Sequence, residues 1–447
     1  MNHKNRPALP GSADMSGSTE GGDMMHVIML SWEYPPRVVG GIARHVEDLA
    51  KALVKQWVDV DVITCGHDKA CEEEDDEGVK VFRVPFQNPS PPDFITWVMQ
   101  MNLNLMERGI ERAAMGADLV HAHDWVVAYS GKALKHAFNI PLVGTIHATE
   151  YGRNWGLHND LQRYISNVEW WLGFESWRVI CCSEHMRREL SWIFQLPGDK
   201  LRIIPNGVDP TRFDVSPNED LEAFRSAWAA PDEQMIFFIG RLVHEKGVQV
   251  LLDALSKVLA YRDKVKLVIA GKGPATAYLK EHAHNLGVYN RVFFAGFVDD
   301  ATRNKLYKCS DVAVVPSLYE PFGITALEAM ASGTPVVVSD VGGLGEVVRH
   351  GVTGMKCYPG NPSSLADNIL TLLADQRLCD GIRANATSDV LTKFNWDIIA
   401  EATSEVYDEV HKAYRASPWA VTRPRWISQP QETIPPEYSR YFAHDTM

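Results

Sequence analysis

Two glutamates in residues 320–328 (EPFGITALE) have a spacing that suits a ligand rich in hydroxyl groups. The segment follows an apolar run and opens a helical pattern, which places Phe322 and Gly323 at or just before the helix start. Free backbone N–H groups there suit an anionic or oxygen-rich ligand, and carboxylates accept hydrogen bonds from neighbouring hydroxyls. Glu320 and Glu328 would then reach different parts of one ligand. Acidic residues that only complement the positive helix end are the alternative, and this segment alone leaves both open.

Residues 240–247 (GRLVHEKG) place two cations between a predicted strand and the helix that follows it. Arg241 and Lys246, together with a helix start, make a favourable site for a diphosphate. The G-x-x-x-x-G-K-[ST] spacing of a Walker loop is absent. A solvated basic pair in a turn is the less favoured alternative, because ligands of doubly wound sheets bind at this edge.

A third segment, residues 32–42 (WEYPPRVVGGI), carries Gly40 and Gly41 at the start of another helix. Paired glycines allow a phosphate or sugar to approach the backbone closely. A plain helix-entry turn needs the same residues, so this pair is weak evidence alone.

Several metal-like patterns have better structural explanations. Asp59 and Asp61 match a D-x-D motif but lie inside a strand-like run. His121 and His123 would share one face of a strand, which favours a hydrogen-bond network over a metal site. The acidic run at 72–77 is predicted to be a solvated loop. No metal is predicted.

The elements that must position these segments alternate between short apolar runs and longer amphipathic stretches. Runs that are apolar on successive residues are typical of parallel strands buried on both faces. In the first half they alternate with helical stretches, which predicts a doubly wound α/β sheet. Predicted strands lie at 26–30, 58–63, 79–84, 118–121, 141–146 and 179–182, and predicted helices at 42–55, 94–114, 126–138, 161–177 and 184–194.

The pattern breaks in a proline-rich, charged stretch and then starts again, which indicates a second domain of similar size. Its predicted strands lie at 235–239, 265–270, 292–294, 312–315 and 335–339. The predicted organisation is a disordered tail (1–23), a first domain (24–206), a linker (207–232), a second domain (233–395), and a C-terminal helix and tail (396–447) that packs back on the first domain. Two Rossmann-like domains would face each other across a cleft that holds the site.

Composition narrows the class of protein. The 447 residues suit two or three domains. A net charge of −13 argues against nucleic-acid binding. The seven cysteines include no C-x-x-C pair, which favours a reducing compartment and a cytoplasmic location. The sequence has no run of about 18 apolar residues, so no integral membrane segment is predicted. The first 23 residues are not a secretory signal. Oligomeric state is not predicted.

Taken together, the motifs resemble the retaining GT-B glycosyltransferases of the glycogen and starch synthase type and the closely similar family 4. The two glutamates, the GRLVHEKG segment and the WEYPP…GG segment carry the resemblance. Supporting pieces occur in the family's order over roughly 25–415, namely 121–125 (HAHDW), 144–147 (GTIH), 204–209 (IPNGVD) and 341–346 (VGGLGE).

The resemblance implies roles for individual residues. Arg241 and Lys246 would bind the donor diphosphate, and Glu328 would bind the ribose. Glu320, with the backbone of 322–324, would hold the hydroxyls of the transferred sugar. The catalytic set would be His147, Arg241, Lys246 and Glu320; the donor set would add Gly40, Gly41, Asn206, Phe322, Gly323, Ile324, Leu344 and Glu328. Asp124 would lie on the acceptor side, and the loop position of Trp155 makes it a further acceptor candidate.

The leading hypothesis is therefore a metal-independent, retaining transferase that moves glucose from ADP- or UDP-glucose to an α-glucan, with no other cofactor. The matching residues 38–41 read VVGG where glycogen synthases usually have Lys-x-Gly-Gly, and 341–343 read VGG where they have Thr-Gly-Gly. Both departures are more similar to family 4, whose members suggest a second hypothesis, a disaccharide or glycosylated metabolite as product. A sugar-nucleotide sensor that has lost catalysis is the third.

Overall fold

The computed structural model describes residues 24–85, 91–216 and 219–421. The predicted tail at 1–23 and the last part of the predicted C-terminal segment (422–447) lie outside these ranges. The first sheet contains β1 (His26–Leu30), β2 (Asp59–Cys65), β3 (Glu73–Asp76), β4 (Val79–Val84), β5 (Leu119–His123), β6 (Leu142–Ile146), β7 (Arg178–Cys181) and β8 (Leu201–Ile203). Their order is β3-β4-β2-β1-β5-β6-β7-β8, and only the β3–β4 pair is antiparallel.

The second sheet has six parallel strands in the order β11-β10-β9-β12-β13-β14. They are β9 (Gln234–Ile239), β10 (Val265–Ala270), β11 (Val292–Gly296), β12 (Val312–Val315), β13 (Val336–Ser339) and β14 (Met355–Cys357). Every residue of β12 and β13 is buried, as is every residue of β5 and β6 in the first sheet. Helices therefore cover both faces of these central strands, as their continuous apolar runs predict.

Helices connect and cover the strands of both sheets. The first domain has α1 (Gly41–Lys55), α2 (Phe94–Ala114), α3 (Ala128–Phe138), α4 (Glu150–Asn154), α5 (Asp160–Glu175) and α6 (Glu184–Phe194). The rest of the chain has α7 (Leu221–Ser226), α8 (Val248–Tyr261), α9 (Thr276–Asn285), α10 (Asp300–Cys309), α11 (Ile324–Ala331), α12 (Leu344–Val347), α13 (Pro362–Ala374), α14 (Gln376–Lys393) and α15 (Trp396–Arg415). Among the described residues, no helix combines the length and apolarity needed to cross a membrane.

The last helix, α15, packs on the first domain although it follows the second in sequence. The Tyr407 hydroxyl lies 2.7 Å from His121 Nδ1, and Glu409 accepts hydrogen bonds from Arg178 and Arg202. The chain thus crosses twice between the domains. The two crossings touch, because the Val208 N–H donates to the carbonyl of Phe394 at 2.9 Å.

The acidic run at 72–77 forms an edge strand, so the predicted loop is wrong. Residues 73–76 pair antiparallel with β4, and Arg83 of β4 donates to Glu74 at 2.6 Å. This ladder and its cross-strand ion pair outweigh the low strand propensity of acidic residues. Asp61 of the D-x-D motif is buried in β2, where it accepts hydrogen bonds from Arg112 at 2.7 Å and pairs with His26 at 2.8 Å.

Candidate active site

The loops at the carboxyl ends of β9 and β12 bring Lys246 and Glu320 together. Lys246 lies in a single 3-10 turn that ends at Gly247, whose φ is 69°. A Cβ at Gly247 would lie 1.9 Å from the carbonyl oxygen of Pro316, so only glycine lets the two loops approach this closely. The Lys246 ammonium lies 2.7 Å from Glu320 Oε2, which also accepts from the Ser317 hydroxyl at 3.0 Å.

This pairing decides what Glu320 does in the segment 320–328. Helix α11 begins after Gly323 with no side-chain cap and no acidic residue in its first turn. Glu320 therefore bonds to a cation of the neighbouring loop and does not cap the helix. The carboxylate is buried, and its partners fix it at the edge of the sheet.

Two glycines hold the 320–323 loop in place from the loop that follows β13. The Gly343 N–H donates to the Glu320 carbonyl at 3.0 Å. Side chains at Gly342 or Gly343 would bring a Cβ within 2.1 Å of the carbonyl oxygens of Glu320 or Pro321. Leu344 is fully buried, and its side chain packs beneath Gly323. The side chain of Leu344 thus supports this loop from the protein interior.

Glu328 lies within α11 and faces a tyrosine and an arginine. The Tyr307 hydroxyl donates to its Oε2 at 3.0 Å, and Arg303 Nη1 lies 3.5 Å from its Oε1. Burial raises the pKa of Glu328, while Arg303 and the tyrosine hydrogen bond oppose that rise. Arg241, by contrast, has an exposed guanidinium 3.6 Å from Glu245, so its charge is available at the same sheet edge. Phe322, before α11, is buried with its ring 6.1 Å from that of Phe394.

The glycine loop of the first domain is held by a buried glutamate. Glu33 Oε2 accepts hydrogen bonds from the N–H groups of Val39 at 2.6 Å and Gly40 at 2.9 Å. Burial raises the pKa of Glu33, and the two amides oppose that rise. Gly41 starts α1, and a Cβ there would lie 2.9 Å from Ile324 Cδ1. The loop therefore meets the start of α11 in the other domain.

His147 follows β6 and lies, partly buried, against two buried imidazoles. Its Nε2 lies 3.2 Å from His123 Nδ1, and its ring is centred 4.7 Å from that of His45. Burial, with a smaller contribution from the Arg153 charge, lowers the pKa of His147 to about 3. Burial also lowers the pKa values of His45 and His123. These rings are therefore neutral at neutral pH.

His45, His123 and His147 form the one group in the described part of the chain whose ligand atoms could hold a metal ion, since they lie within 4.8 Å of one another. His123 Nδ1 and His147 Nε2 lie 3.2 Å apart, which is the spacing of a hydrogen bond between two imidazoles. The absence of a metal from the reaction stays a prediction.

The acceptor-side candidates lie around the same imidazoles. The backbone N–H of His147 donates to Asp124 Oδ1 at 2.8 Å. Burial raises the pKa of Asp124 to about 6, and the Arg153 charge opposes that rise. Asn206 is buried beside His45. Trp155 is half exposed, and its ring lies 6.1 Å from that of His244 in the second domain.

Direct contacts join the two domains around the site. Glu346 accepts from the N–H groups of Glu184 and His185 at the start of α6, at 2.9 and 2.8 Å. The Ser183 hydroxyl donates to the Pro321 carbonyl at 2.7 Å. Tyr319 packs against Gly152, where a Cβ would lie 2.4 Å from the tyrosine oxygen. These contacts hold Tyr319 and Pro321 of the second domain against α4 and the start of α6 in the first.

Sequence reasoning missed three residues that shape this site: Glu33, His45 and Tyr319. Glu33 belongs to the 32–42 segment, but its hydrogen bonds with the N–H groups of Val39 and Gly40 depend on how the loop folds back. His45 lies one helical turn after Gly41, a spacing that could have placed it on the face of α1 toward the cleft. No local signal marks Tyr319, because its partner is in the other domain.

Comparison with known proteins covers both halves of the chain. Residues 39–212 match the family described as Glycosyltransferase Family 4, and residues 220–389 match Glycosyl transferases group 1. An uncharacterized glycosyltransferase of Methanocaldococcus jannaschii is 44% identical over 389 residues, covering 86% of this chain and 98% of that protein. A glycogen synthase of Mycobacterium tuberculosis is 36% identical over 403 residues, covering 86% of this chain and 94% of that protein.

Among solved structures, the catalytic domain of starch synthase IV from Arabidopsis thaliana, bound to ADP and acarbose, has the same architecture. Its TM-score is 0.71 at 17% sequence identity, and the match covers 88% of this chain and all of that chain. The predicted fold of two facing Rossmann-like domains is therefore confirmed as GT-B.

Proposed function

The chain belongs to the glycosyltransferases of family 4 and group 1, and from this premise we propose that it is a retaining hexosyltransferase that uses a nucleoside-diphosphate sugar. Glucose is the leading candidate for the transferred sugar, with ADP or UDP as the carrier. The observation that carries the proposal is the Lys246–Glu320 pair at 2.7 Å, with Arg241 exposed at the same sheet edge.

The Lys246–Glu320 pair suits a reaction in which negative charge develops on a diphosphate as it leaves a sugar. In the proposed complex, Arg241 and Lys246 contact the diphosphate, and Glu320 accepts hydrogen bonds from the sugar hydroxyls. Glu328 accepts from the ribose. Cations aimed at the departing diphosphate stabilise the transition state, which is where electrostatic catalysis is most effective. The proposal therefore requires no metal ion.

The first domain supplies neutral groups to the same centre. His147 is uncharged at neutral pH because burial lowers its pKa to about 3, so it acts as a hydrogen-bonding group beside the sugar. The acceptor hydroxyl attacks from the face that the diphosphate leaves, and a diphosphate oxygen takes its proton. Gly40 and Gly41 let the phosphates approach the backbone from this domain.

For the acceptor, similarity to a glycogen synthase over 94% of that protein favours an α-glucan. The VVGG sequence at 38–41 favours the second candidate, a small sugar or metabolite acceptor. The presence of His147, Arg241, Lys246, Glu320 and Glu328 together argues against a sensor without activity, since loss of catalysis usually removes at least one such residue.

The test is a screen of purified protein in the presence of EDTA. ADP-, UDP- and GDP-sugars are crossed with glycogen, maltooligosaccharides and small metabolites, and the anomeric configuration of the product is determined by NMR. Transfer to glucan with retention supports the leading candidate, and transfer only to a small acceptor supports the second. Inversion, or activity that requires added metal, contradicts the mechanism. No nucleotide release from any donor contradicts the proposed function.

A further inference from the structure

An ion pair joins α1 of the first domain to α10, the helix that supplies both partners of Glu328. Arg44 lies in the first turn of α1, and its Nη2 donates to Asp300, the first residue of α10. The Nη1 of the same guanidinium donates to Glu47 of α1 at 3.0 Å. Arg44 therefore connects a carboxylate of its own helix with a carboxylate of the other domain.

On α10, Arg303 lies between Asp300 and Glu328. Its Nη1 donates to Asp300 Oδ1 at 3.2 Å and lies 3.5 Å from Glu328 Oε1. Its Nε and Nη2 donate instead to the side-chain oxygen of Asn304, at 3.1 and 3.0 Å. One nitrogen of Arg303 therefore serves both carboxylates, so Asp300 competes with Glu328 for this cation.

The four side chains form a row of alternating charges: Arg44, Asp300, Arg303 and Glu328. With Arg44 in place, the Asp300 carboxylate lies between two cations. Without Arg44, Arg303 is the one cation within ion-pair distance of Asp300 in the described part of the chain, and attraction between them draws Arg303 away from Glu328. Burial is the main cause that raises the pKa of Glu328; the Asp300 charge adds to that rise and the Arg44 charge opposes it.

Glu328 depends on a nearby cation because its side chain is largely buried. Opposite charges keep a buried carboxylate ionised, and the ionised form is the stronger acceptor for ribose hydroxyls. Within the described ranges, Arg44 makes no ion pair with Glu328 itself. The effect of Arg44 on Glu328 is therefore indirect, through the two charges between them.

Resting on the proposed function, we propose that Arg44 of the first domain holds Glu328 of the second domain ready for the donor ribose. Arg44 acts as a positioning residue, through Asp300 and Arg303. Donor affinity then depends on the contact between the domains, and a bound donor strengthens that contact in return, because coupling between two equilibria is reciprocal. A ligand without ribose hydroxyls gains nothing from Arg44.

The test measures binding of ADP, UDP and GDP by calorimetry to the wild type, Arg44→Gln, Asp300→Asn and the double variant, after circular dichroism has established that each folds. Arg44→Gln should weaken binding of the preferred nucleotide about fivefold, the upper range for a partly exposed ion pair. Asp300→Asn removes the competing carboxylate, so the double variant should bind as the wild type does. The matched control is Arg163→Gln, which removes an exposed ion pair with Asp160 on α5 and should leave binding unchanged.

The same proteins are titrated with the 2′,3′-dideoxy form of the preferred nucleotide, which gives Glu328 no hydroxyl. Arg44→Gln should bind this form as tightly as the wild type does. An equal loss with the dideoxy form, or a double variant that binds as weakly as Arg44→Gln, assigns Arg44 to direct contact with the nucleotide and overturns the positioning role.

Two further outcomes separate this role from the proposed function. Unchanged nucleotide binding in Arg44→Gln, or an equal loss in Arg163→Gln, overturns the positioning role and leaves the proposed function intact. A folded wild type that binds none of the three nucleotides contradicts the proposed function, and the role of Arg44 falls with it.

Discussion

Lys246 is the residue whose charge is most closely coupled to the proposed chemistry. We expect Lys246→Ala to lower kcat by about 100-fold or more, the usual cost of removing one group that stabilises transition-state charge. The measurement is steady-state transfer with the donor and acceptor identified by the screen. The matched control is Lys264→Ala, which removes a lysine from an exposed ion pair with Asp232.

The same substitution leaves Glu320 buried without its cation, so it also lowers the free energy of unfolding. Activity is therefore compared at a temperature well below the unfolding midpoint of each variant. A folded Lys246→Ala enzyme with the wild-type kcat would contradict the diphosphate site.

Asp124 makes the site sensitive to mild acid. Burial raises the pKa of Asp124 to about 6, and only the ionised carboxylate accepts strongly from the backbone N–H of His147. We expect kcat/KM to fall as the pH drops through about 6, and we expect Asp124→Asn to lack this acidic limb at a lower overall rate. The measurement is a pH–rate profile with both proteins, and an unchanged limb in Asp124→Asn would assign it to another group.

The free energy of unfolding should also depend on the ionisation of Asp124, and the pKa shift fixes the direction of this pH dependence. Because burial raises the pKa of Asp124 in the folded protein above its ordinary value of about 3.8, the folded state holds this proton more tightly than the unfolded chain. Its favourable contribution is present at low pH and is lost as the pH rises through about 6. Asp124→Asn should therefore gain stability relative to the wild type as the pH rises from about 4 to about 6, as measured by denaturant unfolding.

At the scale of elements, the glycine loop after β1 depends on Glu33. We expect Glu33→Ala to free the amides of Val39 and Gly40 and so to loosen the loop that approaches the donor. KM for the donor should rise several-fold, and Glu33→Gln should have a smaller effect because an amide oxygen still accepts. Tyr34→Phe, which removes a neighbouring hydrogen bond to Asp76, is the control. A donor KM that is unchanged in Glu33→Ala would contradict the role.

The elements themselves were the most predictable part of the molecule. The predicted bounds of β1 and α2 coincide with those observed, because an uninterrupted apolar run and an Asp93 cap are local signals. The edge strand β3 was missed because its stability comes from pairing with β4 and Arg83, which no property of an acidic run reveals.

The candidate site was predictable to the extent that motifs follow strands. Parallel strands end at one sheet edge, which is why Lys246 and Glu320 meet although 74 positions separate them. The pairing of Glu33 with its own loop, and of Tyr319 with Gly152, depends on backbone turns and domain placement. Such non-local contacts leave no periodic pattern in the sequence from which they could be predicted.

At the scale of the whole molecule, contact between the two domains brings the two halves of the candidate site together. Tyr319 from the second domain fits against Gly152 of α4, its hydroxyl donates to Glu189 at 3.0 Å, and Glu346 bonds to the start of α6. Closure of this kind assembles a catalytic site around bound substrate in many transferases. The tyrosine ring is rigid, so this contact offers a way to disturb the placement of the domains without touching the proposed donor site.

We expect Gly152→Ala to lower kcat about tenfold or more, since a misplaced domain costs catalytic geometry, while donor affinity changes little. A Cβ at this position would lie 2.5 Å from the Tyr319 ring. The measurements are kcat, donor binding by calorimetry, and the radius of gyration by small-angle X-ray scattering, which should increase.

Gly381→Ala is the control, because that helical glycine has open space around it. Adding Tyr319→Leu to Gly152→Ala removes the clash, so the double variant should recover part of the lost kcat. If it recovered nothing and the radius of gyration of Gly152→Ala matched the wild type, the loss would arise within α4 and not from closure.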